Sequence, residues 1–406
     1  MKIPFKPADI LLPKCNFEKW SVIACDQFTS DFDYWKKTEE TVGDNYSTLK
    51  ITLPEIYLED GDVDKRIAEI NANMYKYLAE NVFEEYENAI IYIERTQPDG
   101  RVRNGIIGAV DLEEYDYSPQ TDKPIRATEG TVLERIPPRV RIRKDASLET
   151  PHIMLLIDDI KRTVIEPLSA KKDRFRKLYD FDLMMGGGHI AGYLLDETAK
   201  SDVLNALETL CNQEDAPLLF AVGDGNHSLA TAKACYEQYK AENPYTCLNS
   251  PARYALAEVG NIHDDALDFE PIYRVLFNVD PIEVTSEFKN TLGKGATNTD
   301  VIITGNNKEG TVRINVPDTK LVTGVVQDFI DSYIKKHPET KVDYIHGIDD
   351  VKKLTANNNS IGFIYEGISK YTLFESVRKS GSLPRKTFSM GEAKDKRYYL
   401  ECRKIK

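Results

Sequence analysis

Within six consecutive positions, Gly223-Asp224-Gly225-Asn226-His227-Ser228, the chain gathers a carboxylate, an amide, an imidazole and a hydroxyl. An apolar run of strand length, Leu218 to Val222, leads in, and a helix-forming stretch from Leu229 to Tyr236 leads out. A strand, a tight turn and a helix start in that order bring unpaired amides and the positive end of the helix dipole to one point, which favours an anion and often a phosphate. Gly223 and Gly225 let the backbone approach such a ligand closely, and Ser228 is the expected N-cap. In this reading Asp224 and His227 are the catalytic candidates, Gly223, Gly225, Asn226 and Ser228 hold phosphate, and Asp224 is also a metal ligand. The same residues also fit an ordinary βα turn in which Asp and Asn bond their own backbone.

Other groups must therefore support the turn. Arg126, Arg135, Arg139, Arg141 and Arg143 concentrate positive charge around Glu129 and Glu134 in an otherwise acidic chain. Guanidinium forks match phosphate oxygens, so Arg126, Arg135 and Arg139 are phosphate-binding candidates, a solvated, salt-bridged loop being the other reading of this run. Because Gly130 and Pro137-Pro138 interrupt this run, it does not read as a simple helix face. His263 with Asp264 reads equally well as acid–base or metal-binding machinery and as a surface turn, and Gly186-Gly187-Gly188 with His189 as a turn wrapping a ligand or a flexible hairpin, so these are secondary candidates. Cys25-Asp26 pairs a thiol with an acid but suits a buried cysteine at a strand end. His152 opens a buried-type strand ending at Asp158-Asp159. Near the C-terminus, Leu383-Pro384-Arg385-Lys386-Thr387-Phe388 is basic and unlike a frayed tail, which adds Lys386 to the phosphate-binding set.

The elements that must position these groups alternate in type. Ile67, Ile70, Met74 and Leu78 have helical spacing, and Val203, Leu204, Leu207 and Leu210 mark a second amphipathic helix. Strands are expected at 89–95 and 102–110, joined through Pro98-Asp99-Gly100, and again at 253–259. Beyond about residue 280, strands and helices alternate to 380, an α/β layer. The fold class is thus α/β (mixed α+β), with a core over 1–280 and a C-terminal unit over 281–406 whose tail returns to the core. The 406 residues carry a formal net charge of −13, which disfavours nucleic acid as a partner. No segment reaches membrane-span length, so no membrane partner is expected, and Met1 to Lys6 lacks a signal-peptide core. The six cysteines are scattered without metal-site spacing, as in a reduced, cytoplasmic protein. Oligomerisation is left open.

Several stretches together resemble the domain-of-unknown-function family 1015: Ala24-Cys25-Asp26-Gln27-Phe28-Thr29-Ser30, Arg126-Ala127-Thr128-Glu129-Gly130-Thr131, Pro151-His152-Ile153-Met154, the Asp224 turn, Asn261-Ile262-His263-Asp264 and Pro384-Arg385-Lys386-Thr387-Phe388. Its central turn is similar to the phosphate-binding turn of the ParB/sulfiredoxin superfamily, which implies a ParB/sulfiredoxin-like core. Among that superfamily's members are free-serine kinases, with an upstream Glu as base and an Asp-Gly-His-type turn at the nucleotide phosphates. The resemblance carries Asp224, Gly225 and His227 onto that turn and makes Glu129 the candidate catalytic carboxylate. Asn226 and Ser228 depart from the His and Arg of many family members, so the missing charge must come from elsewhere.

Three functions follow from these residues. A nucleotide-dependent phosphotransferase acting on a small hydroxyl substrate such as free serine would use ATP or ADP with Mg2+. A phosphatase, for instance of phosphoserine, would use the same anion pocket, with His227, His263, Asp224 and Asp264 foremost. A nucleotide-binding regulatory protein would bind without turnover. In each case the partner is a small anionic or hydroxyl-bearing molecule.

Overall fold

The apolar runs become strands that are covered on both sides. The computed structural model describes residues 3–14, 16–58, 61–130, 136–212, 217–290, 297–317, 320–356 and 359–406. It divides into two compact units, one of residues 1–267 with 391–406, the other of residues 268–390.

The first unit is built on a ten-stranded mixed sheet. Its strands are β1 (Phe5–Lys6), β2 (Ile91–Thr96), β3 (Val102–Asp111), β4 (Tyr115–Asp116), β5 (Ile125–Ala127), β6 (Met154–Ile157), β7 (Arg176–Asp182), β8 (His189–Leu194), β9 (Phe220–Asp224) and β10 (Tyr254–Asn261). The order is β7-β8-β2-β3-β10-β6-β9-β5-β4, with β1 added beside β3. Successive residues of β2 serve opposite layers: Ile91 and Ile93 join one core cluster and Tyr92 the other. Burial on both faces explains why these strands read as continuous apolar runs rather than alternating ones. On one face lie α1 (Phe32–Val42) and α2 (Val63–Ala79), contributing Trp35, Ile70 and Met74. Two others, α4 (Glu197–Cys211) and α5 (Asn226–Glu242), supply Val203, Leu207, Leu229 and Tyr236 to the second cluster.

Between β5 and β6 stands α3 (Ile136–Arg143). Pro137 and Pro138, which argued against a helix here, fall in its first turn, where the missing N–H groups would have had no partner.

The last residues of the chain thread back through the first unit. Tyr398 and Tyr399 pair with Ile23 and Val22, Cys402 bridges to Leu11, and Arg403-Lys404 pairs with Leu148-Glu149. Trp20 Nε1 donates to the Leu400 carbonyl at 2.8 Å, and Trp20 is fully buried.

The second unit holds a six-stranded sheet in the order β13-β12-β15-β11-β14, with β16 beside β11. These are β11 (Phe269–Phe277), β12 (Thr297–Gly305), β13 (Lys308–Val316), β14 (Lys341–His346), β15 (Ser360–Ile364) and β16 (Phe388–Met390). Its helices are α6 (Pro281–Asn290), α7 (Val322–Lys336), α8 (Ile348–Leu354) and α9 (Leu373–Ser380). Val284 and Phe288 of α6 pack with Val326, Phe329 and Ile330 of α7. The unit begins at Asp268, before the expected boundary at 280, because β11 pairs with β14, β15 and β16.

Candidate functional site

Strand register brings separate stretches of sequence to one edge of the first sheet. In the antiparallel pair β6–β9, Met154 stands opposite Asp224, so the start of β6 meets the end of β9. Next to it, β5 runs parallel to β9 with Ala127 opposite Val222. Thr128 continues from β5 and its hydroxyl donates to the Val222 carbonyl at 2.6 Å. Glu129 therefore follows β5 on the side of the sheet where Asp224 ends β9.

At the turn, Gly225 holds φ 77° and ψ 26° and is the residue before α5. A Cβ there would lie 3.0 Å from Ile153 Cα, and the positive φ itself disfavours any side chain. The helix starts at Asn226, so Ser228 lies inside its first turn rather than at the N-cap. No side chain caps this helix end. Asp224 Oδ1 accepts the Gly225 N–H at 2.8 Å, while Oδ2 is 3.1 Å from Lys396 Nζ. Lys396 is 9% exposed, Asp224 21%. The Asn226 Oδ1 atom is buried and has no hydrogen-bond partner among the described residues.

Beside this turn is a continuous polar chain. His152 Nε2 is 3.5 Å from Asp26 Oδ2, and its Nδ1 is 3.1 Å from the Tyr399 hydroxyl. Tyr399 donates to Cys25 Sγ at 2.8 Å and accepts the Cys25 N–H at 3.0 Å. Gln27 Nε2 donates to Asp26 Oδ1 at 3.0 Å. Burial disfavours charging His152, but the Asp26 carboxylate outweighs it and raises the imidazole above its ordinary value. Burial likewise works against the Asp26 charge, yet His152, Gln27 and Lys396 together hold that carboxyl well below the usual range. A protonated His152 satisfies the geometry, since both ring nitrogens then donate, one to Asp26 and one to Tyr399. Asp224 and Glu55 also act on His152 electrostatically. Burial first, then the Asp26 and Glu55 charges, push the Cys25 thiol up to about 12, so it is a protonated structural group, not a nucleophile.

Of the basic candidates, Arg139 of α3 pairs with Glu55 and lies within electrostatic reach of Cys25. Arg126 is buried, with Nε on the Lys123 carbonyl at 2.8 Å and NH2 on the Asp122 carbonyl at 3.3 Å, so it braces its own loop. Arg135 lies outside the described residues. Lys386 belongs to the second unit, where its carbonyl accepts from Arg274 at 2.9 Å.

The secondary histidines stand elsewhere. His263 Nε2 is 2.8 Å from Asp158 Oδ1, past the ends of the parallel strands β6 and β10, hence at the opposite edge from Asp224. Asp264 accepts the Asn104 and Ala266 amides. His189 bridges Asp180 at 2.7 Å and Asp182 at 2.8 Å on β7–β8, beyond β2, β3, β10 and β6 from β9.

Lys396, His152, Asp26 and Tyr399 were missed as site residues. The stretches bearing Asp26 and His152 stood out in the sequence, but nothing there gave Lys396, which reaches the turn only because the tail re-enters this unit.

This arrangement offers amides at a helix start, an ammonium group, a carboxylate and a buried amide oxygen in one place. The amides and the ammonium group are hydrogen-bond donors, while the carboxylate and the amide oxygen are acceptors. For a divalent metal the fit is poor, because both Asp224 oxygens are engaged; we derive no step through a resident metal. Among the described residues the three-ligand cluster is Glu283, Glu287 and His337, in the second unit. No described helix is long and apolar enough to cross a membrane.

Among solved structures, a free serine kinase in complex with AMP is 10% identical, with a TM-score of 0.41 over 73% of this chain and 90% of its own. A variant of a free serine kinase in complex with ADP is 11% identical at 0.42, over 75% and 93%. SbnI from Staphylococcus aureus, truncated at its C-terminus, is 10% identical at 0.38, over 70% and 82%. No curated protein sequence matches the chain. The model of the family "Protein of unknown function (DUF1015)" matches residues 4–403, and the chain belongs to that family.

Proposed function

We propose that this protein is a phosphotransferase that moves a phosphoryl group from a nucleoside triphosphate to the hydroxyl of a small metabolite, free serine being the first to test. The observation that carries this reading is the Asp224–Lys396 pair at the start of α5, whose first amides no side chain caps. The amides of the first helical turn and Lys396 face phosphate oxygens, supplying the charge that Ser228 does not. Asp224 fixes the Lys396 ammonium and the Gly225 amide together. Arg139 contributes through its pair with Glu55.

Phosphoryl transfer rests mainly on positioning and charge neutralisation. MgATP is here a substrate, its metal arriving with the nucleotide. The bond between the γ-phosphorus and the bridging oxygen breaks, and a new P–O bond forms to the substrate hydroxyl. The hydroxyl proton passes to the Glu129 carboxylate, and the nucleoside diphosphate leaves. A base in that role contributes about 10²–10⁴-fold. Asp26, held ionised by His152, lines the same edge and is suited to orient the hydroxyl or an ammonium group.

The test is 31P NMR of purified protein with MgATP and serine. Phosphoserine and ADP appearing together, and disappearing in Asp224→Ala, support the reading. Nucleotide-independent release of phosphate from phosphoserine would replace it with the phosphatase.

A further inference from the structure

On the same unit, three arginines line a small cavity that the proposed reaction does not use. Arg95 of β2 and Arg103 of β3 are direct cross-strand partners, and Arg397 comes from the returning tail. Their exposures are 1%, 5% and 6%. Like charges placed directly opposite on a sheet repel, and burial strengthens the repulsion. The acids lining the cavity are Glu258 and Glu401, giving three cations to two anions. Glu258 lies 3.3 Å from Arg103 and 3.4 Å from Arg397, while Glu401 takes Arg397 and the Tyr179 hydroxyl, each at 2.5 Å. Arg95 contacts backbone carbonyls instead, those of Thr96 at 2.7 Å and Lys394 at 3.2 Å. Asp395 acts on Arg95 electrostatically, but it is not part of the lining and its Oδ2 accepts the Glu392 amide.

The Nε–H donors of all three arginines are buried and have no hydrogen-bond partner among the described residues. A buried donor left unmade is costly, which makes a third party at this point favourable. The cavity is about 10 Å³, room for one water-sized species. A water accepts two hydrogen bonds and must place two hydrogens of its own, and among the described lining residues the acceptor without a hydrogen bond, Glu258 Oε1, is already 3.3 Å from Arg103. An acceptor-only ion takes all three donors and cancels the excess charge. Burial, and then the Arg103 charge, pulls the Arg95 guanidinium down to about 10, in keeping with a cation short of counter-charge.

We propose that this cavity is a binding site for one monatomic anion of chloride size, held by Arg95, Arg103 and Arg397. Its occupancy ties the tail segment around Lys394 to Arg397 onto β2 and β3. The probe is the halide itself. At constant ionic strength the unfolding midpoint should be higher in sodium chloride or bromide than in sodium gluconate, whose anion is too large, by about 3 °C or more. Arg95→Met should abolish that difference. Crystals grown in bromide should show an anomalous peak among the three guanidinium groups, a readout that needs no variant. Equal midpoints in both salts, or a cavity in the bromide crystal with no anomalous peak, would overturn the proposal and leave a water there.

Discussion

The two edges of the first sheet carry the same residue types and use them differently. At one edge stand Asp224, Asn226, His227, Asp26 and His152; at the other, Asp158, Asp159, Asn261, His263 and Asp264. At the second edge these groups hold loops together. Asp159 Oδ2 accepts the Thr163 and Val164 amides at 2.5 and 2.9 Å, and Asn261 Nδ2 donates to the Asp159 carbonyl and to Glu166. At the Asp224 edge the carboxylate instead holds a lysine, a helix start is uncapped, and an amide oxygen is buried without a partner among the described residues. The backbone thus gives two amides to Asp159 at the second edge but only one, that of Gly225, to Asp224 at the first.

The largest effect expected is on ligand binding at the Asp224 edge. Asp224→Ala should lower ATP or ADP affinity by 100-fold or more, whereas His263→Ala should leave it unchanged; isothermal titration of both variants makes the comparison. Lys396→Met should cost about tenfold to 100-fold, the range of a hydrogen bond to a charged group, with Lys396→Arg recovering part of it. Equal affinities in Lys396→Met and wild type would remove the tail from the site.

The opposite edge should respond in stability instead. Asp159→Ala leaves the half-buried Thr163 amide and the buried Val164 amide without their acceptor and should lower unfolding free energy by about 1–3 kcal/mol in denaturant titration, with nucleotide affinity intact. Gly225→Ala joins both behaviours, because its positive φ and the 3.0 Å approach to Ile153 make a methyl group distort the turn. Its midpoint and its nucleotide affinity should fall together.

The smallest effect concerns pH. His152 is raised, so its contribution is fully present below about pH 6.5 and is lost as pH rises through its folded value. Asp26 is lowered, so its contribution is present above about pH 4 and is lost only as pH falls through its folded value. Between those limits the pair stabilises most. In Asp26→Asn the His152 imidazole should titrate lower, followed by NMR of the ring, and the decline of stability above pH 6.5 should flatten.

Much of this fold is legible in local pattern. The spacing of Ile67, Ile70 and Met74 and the run at 218–222 report directly on a helix face and a buried strand, since each depends on neighbours in sequence. The α7 helix is found where Val326, Phe329, Ile330 and Tyr333 repeat. What escapes is whatever depends on pairing between distant segments. Gly225 takes the place expected for Ser228 because its left-handed backbone, not a side chain, turns the strand into α5. Lys396 was unreadable as a site residue because it is fixed by the tail pairing at Tyr398-Tyr399, and Arg126 looked like a phosphate ligand until burial committed it to its own loop. Charge and residue type locate candidates; strand register decides which of them meet.

We propose that the Asp224 edge binds phosphate. Titration of MgATP into wild type, Asp224→Ala and Asp159→Ala, each checked for folding by circular dichroism, tests it most directly. Saturable binding to wild type and Asp159→Ala with loss in Asp224→Ala is the predicted result. No binding to wild type, or equal binding to all three, would contradict it and leave the turn as a piece of architecture.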